Sequence, residues 1–252
     1  MCNLYSMTKG QQAIREIAKA LRDTTGNLPP MPGIFPDYEA PIVRTGADGV
    51  RELALARWGM PSSQKALLDA ATKRAEKRAA KGKPVEDFKA LVRMEPDGGT
   101  TNVRNTSSKH WQRWLGPANR CLVPFTSFSE FNKAAGGDVW FAFGEERPLG
   151  FFAGIFVRDW TSVRKVREGE VTTDLFGFLT TQPSEPVASV HPKAMPVILT
   201  EPEELEIWMN GLWEDAKALQ RALPANALTI VARGDRKDGP AETMGAREIG
   251  TG

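Results

Sequence analysis

Apolar residues recur along this chain with two different periods, and the change between them organises it. Ile14, Ile17, Ala18 and Leu21 fall at helical spacing, which predicts a helix opened by a Thr8/Gln11 capping box and stopped at Gly26. Ahead of it, Cys2 to Met7 reads as a short strand, so Cys2 sits at a strand end tied to a packed helix. Ile42 to Arg44 and Val50 to Arg57 flank Gly46-Ala47-Asp48-Gly49, a hairpin signal that delivers Arg57-Trp58-Gly59 to its far end. From Arg120 the period shortens towards two. Cys121 to Pro124, Phe125 to Phe131, Val139 to Phe143, Phe151 to Val157 and Phe176 to Thr181 are short apolar or alternating runs separated by Gly, Asp and Pro, and they predict strands. Thr200 and Glu203 predict a second capping box, with a helix through Trp208 that stops at Gly211. A further helix is expected over Glu214 to Leu223, and a last strand over Leu228 to Ala232.

The segments between these elements are equally readable. Five prolines between Leu28 and Pro41 make a rigid extended loop. From Ser62 to Lys81 a thin stripe of Leu67, Leu68, Ala71 and Ala75 is surrounded by Lys73, Arg74, Lys77, Arg78 and Lys81. This predicts a basic helix, either a solvated face or a phosphate-contacting one. Ser108 can cap a short helix holding His110, Trp111 and Trp114, and Pro183 to Val190 forms a short helix or turn that presents His191. His110 beside two tryptophans reads as a packed or surface residue. No repeat and no linker divides the chain. A single domain over 1–233 is expected, with a basic helical insertion near 62–99 and a Gly-rich, charged tail over 234–252 that is expected to be mobile.

Composition narrows the class. The hydrophobic share of 41% and charged share of 25% are those of a globular chain, and no apolar run reaches the ~20 residues of a membrane helix. With no basic-then-apolar leader, no membrane role and a cytoplasmic location are expected. Cys2, Cys121, His110 and His191 are too few for a disulfide scaffold or a Cys/His zinc site, so neither metal nor cofactor is expected. The net charge of +2 points to no nucleic acid by itself, so such a partner would have to be met by a local basic surface.

The candidate chemistry begins at Cys2, directly after Met1. Removal of Met1 would leave Cys2 with an α-amine beside its thiol, titrating near ~7.7–8.0 and ~8.5, so both nucleophiles would be partly unmasked at neutral pH. Such a 1,2-aminothiol captures an aldehyde by forming a Schiff base, which the thiol closes to a five-membered thiazolidine. Glu130, within Phe128-Ser129-Glu130-Phe131, is opposite in sense to its immediate neighbours. The simple expectation is the solvent face, and the other reading is a buried acid with a raised pKa.

Taken in order, Cys2 after Met1, Arg57-Trp58-Gly59, Asn102 with Arg104, Cys121-Leu122-Val123-Pro124 leading to Glu130, and His191 followed by Met195-Pro196-Val197-Ile198-Leu199 resemble the SOS-response-associated peptidase family. Members of that family crosslink to abasic sites in single-stranded DNA. The resemblance implies a single α+β domain with a mainly antiparallel, barrel-like β core flanked by helices. It implies Cys2 as nucleophile, exposed by autocatalytic removal of Met1, with Asn102 orienting the terminal residue and the opened sugar. Glu130 would move protons, and His191 would assist as acid, base or oxyanion partner. Arg57 and Arg104 would hold phosphates, with Trp58 near the bases and Trp58 and Trp111 as stacking surfaces. The partner would be single-stranded DNA containing abasic sites, bound by a monomer that is nucleoid-associated in a bacterium.

The chain departs from the family pattern at several points. Asn3-Leu4 stands where an arginine-bearing pair is usual, and residues 62–99 are inserted before Asn102. Phe128-Ser129-Glu130-Phe131 replaces the usual Phe-Tyr-Glu-Trp, and His191 lies one residue further from Met195. Two other functions fit parts of the sequence. One is an N-terminal-nucleophile cysteine peptidase or amidohydrolase with His191 as base, which requires an oxyanion hole. The other is a non-catalytic single-stranded DNA-binding module that relies on the basic helix.

Overall fold

The structure is a computed structural model and describes residues 2–238. The chain opens with β1 (Leu4–Met7), helix α1 (Gln11–Ala18) and the short strands β2 (Arg22–Asp23) and β3 (Met31–Ile34). The hairpin of β4 (Glu39–Thr45) and β5 (Arg51–Trp58) is followed by α2 (Gln64–Ala79), α3 (Phe88–Arg93), β6 (Asn102–Val103) and α4 (Lys109–Gln112). Next come β7 (Arg120–Phe125), β8 (Ser127–Asn132), β9 (Gly137–Ala142) and the long pair β10 (Gly150–Val163) and β11 (Glu170–Thr181). The remaining elements are α5 (Val187–Val190), β12 (Met195–Pro196), β13 (Ile198–Leu199), α6 (Pro202–Asn210), α7 (Trp213–Ala216) and β14 (Thr229–Gly234).

Five strands close into a barrel. β11, β10, β7, β4 and β5 pair antiparallel in that order, and a parallel contact of β5 with β11, at Leu175↔Arg57 and Phe176↔Trp58, shuts the ring. A second sheet, in the order β14-β9-β8-β1-β3, lies against it. The class is therefore α+β with a barrel core. Aromatic rings join the two layers. Phe125 stacks on Phe152 with centroids 4.0 Å apart, and Tyr5 of β1 presents its face or edge to Trp58 at 5.1 Å and to Phe152 at 5.7 Å. Large rings in offset or edge contact contribute both area and geometric preference, which fixes how β1 sits on the barrel.

Local signals fail where tertiary partners compete. The helix expected to run to Gly26 ends at Ala18, because Leu21 N–H bonds Arg51 O and the chain leaves to add β2 beside β5. Leu21 is consequently exposed, at 78%. The Thr8/Gln11 box is not made. Gly10 caps α1, Thr8 Oγ1 meets Thr126 Oγ1, and Gln11 Nε2 donates to Asp23, Thr25 and Gly26 O. The second box forms one residue later than expected, between Glu201 and Glu204, because Pro202 occupies the first helical position. The helix expected over Glu214 to Leu223 is the single turn of α7 followed by a 3-10 turn.

The segment expected to be an insertion holds the helices α2 and α3, and its root is closed by charge. Arg74 forks onto Glu95 at 2.8 and 2.9 Å, and the Asp97 carboxylate accepts the N–H groups of Ser62 and Gly99. Lys73, Lys77, Arg78 and Lys81 remain exposed.

The tail expected to begin at 234 is held down further than the sequence indicates. Asp238 is buried, its carboxylate receives Arg147 at 2.7 and 2.8 Å and Ser127 Oγ at 2.6 Å, and its carbonyl accepts Ser6 Oγ. Residues 239–252 lie outside the described residues. Removing one member of a buried charge pair leaves the other unpaired, so Asp238→Ala is expected to cost about 3 kcal/mol in urea unfolding at neutral pH. A loss below about 0.5 kcal/mol would show that the clasp carries no stability.

Candidate active site

The site is assembled at the N-terminal end of β1 from segments far apart in sequence. Leu4 pairs with Ser129 of β8, which sets Cys2 beside the outer half of that strand. Asn102 reaches the same point from the barrel, because β6 adds alongside β11 with Phe178↔Asn102 in register. Its Nδ2 donates to Cys2 O at 2.8 Å and to Thr101 Oγ1 at 2.8 Å. Among the described residues Asn102 Oδ1 is buried without a hydrogen-bond partner, an acceptor left open beside Cys2.

Glu130 is 2% exposed, which corrects the solvent-face expectation. The period of two decides the matter through Phe128 rather than through the immediate neighbours. Phe128 packs on Phe125, Phe141 and Phe152, and Glu130 shares its face at the end of the core. The neighbour that turns outward is Phe131, at 66% exposure. Burial pushes the Glu130 carboxyl up to about 7, and the Asp138 charge acts in the same direction.

His191 follows α5, with its N–H on Val187 O at 2.8 Å, and Asn132 Nδ2 holds Val190 O at 2.9 Å. These bonds bring His191 Nδ1 to 3.8 Å from Glu130 Oε2. Burial lowers the imidazole below its usual value, with the Lys193 charge adding to the effect, so His191 is neutral at pH 7.

Cys2 is 1% exposed and its Sγ lies 3.4 Å from Leu4 O. Burial raises the thiol well above its ordinary range, and Glu130 raises it further. With Met1 still attached the thiol is therefore not partly ionised at neutral pH, and a neighbouring base must take its proton. Asn3, Leu4, Ser129, Glu130, Phe131, Asp138, His191 and Arg236 line an open cleft of about 630 Å³.

The expected DNA contacts divide. Arg104 is exposed. Arg57 is not available as a phosphate clamp, because its guanidinium is 13% exposed and committed to Asp37 at 2.7 Å and Glu168 at 3.1 Å. Trp58 is fully buried between Tyr5, Phe176 and Phe178 and donates to Thr101 O, so no base can stack on it here. The Arg57-Trp58-Gly59 triplet instead marks the closure of the barrel. Gly59 has φ of +137°, and a Cβ there would lie 2.5 Å from the Arg164 guanidinium, so a side chain is excluded. Trp111 is half-buried in a cluster with His110 and Trp114. Residue reasoning missed Phe131 and Arg236. The first was legible as an aromatic one residue from a candidate acid, whereas the second had no signal in the sequence.

Fold and site together define an α+β barrel protein whose acid, imidazole and amide groups gather around a cysteine at the head of the first strand. The chain belongs to the SOS response associated peptidase family, whose model matches residues 1–232, and so to a group of proteins associated with DNA damage. None of the curated proteins compared with it matches the chain. Among solved structures it is similar to a protein of Bordetella bronchiseptica, at 21% identity and a TM-score of 0.59, covering 90% of this chain and 97% of that one. It is also similar to a protein of Bacteroides thetaiotaomicron at 19% identity and a TM-score of 0.61, covering 90% of each chain. A phage-related protein of B. bronchiseptica follows at 18% identity and a TM-score of 0.57, with coverages of 90% and 92%. Such identities establish a shared fold.

Proposed function

We propose that this protein bonds covalently to abasic sites in single-stranded DNA through Cys2, after removing its own Met1, and so shields the lesion. The observation that carries the reading is the grouping of Asn102, 2.8 Å from the Cys2 carbonyl, of a buried Glu130 whose charge acts on the Cys2 thiol, and of His191 3.8 Å from Glu130. Hydrolysis of the Met1–Cys2 bond frees the amine. The amine then adds to the aldehyde carbon of the opened deoxyribose. Protonated Glu130 donates to the departing hydroxyl, which leaves as water, and a Schiff base remains. The thiol adds across that C=N bond, its proton passing by way of Glu130 or His191 to nitrogen, and the ring closes.

A carboxyl near 7 is populated in both forms at neutral pH, so Glu130 can act as donor and then as acceptor. Asn102 Oδ1 holds the amine or a sugar hydroxyl. Arg104 takes a phosphate, and exposed Phe131 offers a stacking face beside the acid. The raised thiol requires a base in this reading and in the peptidase alternative alike, and the outcome of the denaturing gel separates the two. The protein acts as a monomer in the cytoplasm, on the nucleoid in a bacterium.

The test is purified protein of intact mass one methionine short, incubated with an abasic oligonucleotide and run on a denaturing gel. A shifted band that survives heating is the expected result. Protein lacking Met1 that leaves the oligonucleotide unshifted overturns the proposal.

A further inference from the structure

The chain beyond β14 does more than end the fold. Residues 235–238 cross the edge of the second sheet and are pinned on both sides of Arg236. Trp140 Nε1 donates to Asp235 O at 2.7 Å, and Asp238 N–H donates to Pro32 O at 2.8 Å. Asp238 is buried on Arg147, Ser127 and Ser6. The segment also lies directly on β3, where a Cβ added to Gly33 would come within 3.0 Å of Arg236 O. A backbone fixed this tightly gives an exposed side chain a defined origin.

The Arg236 side chain is 74% exposed and leaves that backbone towards the cleft. Its guanidinium lies over the Phe35 ring at 4.9 Å, which orients the plane without consuming its N–H donors. Among the described residues its nearest carboxylate is Asp138, 4.0 Å from Nε, and the other oxygen of Asp138 already accepts Ser129 Oγ at 2.8 Å. Among the described residues that line the cleft, which include Glu130 and His191, Arg236 carries the one permanent positive charge.

From this placement we infer that Arg236 binds a phosphodiester of the strand lying in the cleft, exchanging its long contact with Asp138 for a bidentate one to phosphate. The inference rests on the DNA reading of the cleft. It assigns to the segment 235–238 the charge that holds the strand in the cleft that Glu130 and His191 also line. An arginine suits this because its flat fork matches two phosphate oxygens while its face stays on Phe35.

The experiment uses fluorescence anisotropy with a single-stranded oligonucleotide bearing a tetrahydrofuran abasic analogue, which has no aldehyde and forms no adduct. Loss of one phosphate contact lowers the slope of log K against log salt by ~0.7 for single strands, or about fivefold in affinity at 0.1 M salt. Arg236→Ala and Arg236→Gln are expected to show that loss and Arg236→Lys to retain the slope, with thermal melts confirming that each variant is folded. Unchanged affinity and slope in Arg236→Gln would overturn the assignment, as would wild-type protein that does not bind the oligonucleotide. The denaturing gel with aldehyde-bearing DNA reads the chemistry separately. An adduct with no slope change removes Arg236 alone, and a slope change with no adduct removes the covalent reading alone.

Discussion

Cys2→Ala is expected to abolish the heat-stable adduct with abasic single-stranded DNA while leaving a Schiff base that borohydride can trap. The α-amine of residue 2 survives the substitution, so condensation with the aldehyde remains possible, and Asn102 keeps its bond to the carbonyl of residue 2. The thiol does not survive. Ring closure by a neighbouring group carries an effective molarity of ~10⁵ M or more, and without it the imine is open to water. Adduct after heating should fall at least 10²-fold, to about the detection limit of a gel. An equally stable adduct in Cys2→Ala would place the covalent bond on another residue. Loss of the borohydride-trapped species as well would show that the amine is not the first nucleophile.

Glu130→Gln is expected to slow adduct formation by ~10²- to 10³-fold and to stabilise the protein at alkaline pH. The two effects have one cause. Burial holds the Glu130 carboxyl near 7, so the wild-type rate should change form around that pH. The amide introduced by the substitution has no acidic proton to give, and the variant shows no such inflection. For stability, the folded value lies above the unfolded one, so between about 4.5 and 7 the folded chain binds more protons than the unfolded chain. Stability contributed at this position is therefore full below about 4.5 and is lost as pH rises through 7. The loss amounts to about 3 kcal/mol at pH 8, on the basis of 1.36 kcal/mol for each pH unit between the two values. Thermal melts of wild type and Glu130→Gln should coincide at pH 4 and separate at pH 8, with the variant higher. A variant that is less stable at pH 8 would mean that the carboxylate is held by stronger bonds than its burial indicates.

Much of the site was readable because its chemistry is local to residue type. A cysteine after Met1, an amide in Asn102, an acid in Glu130 and an imidazole in His191 can be named from the chain, and the structure places all four together. What misled the reading was surface assignment. Trp58 and Arg57 look like ligands for bases and phosphates, yet the parallel contact of β5 with β11 takes both into the fold, one as core and one as a partner of Asp37. Propensity could not foresee this, since a parallel closing contact joins strands more than a hundred residues apart.

The hydrophobic periods alone determined the strand-rich second half, the β4–β5 hairpin and the basic helix α2, and residue identity determined the chemical groups the candidate site holds. Those signals depend on side-chain type and on spacings of a few residues. Only the tertiary structure decided which face of β8 Glu130 occupies, that the Cys2 thiol is held protonated, and that 235–238 returns Arg236 to the cleft. Burial and electrostatic fields arise from neighbours brought in from distant parts of the chain, so they exist only once the barrel has closed.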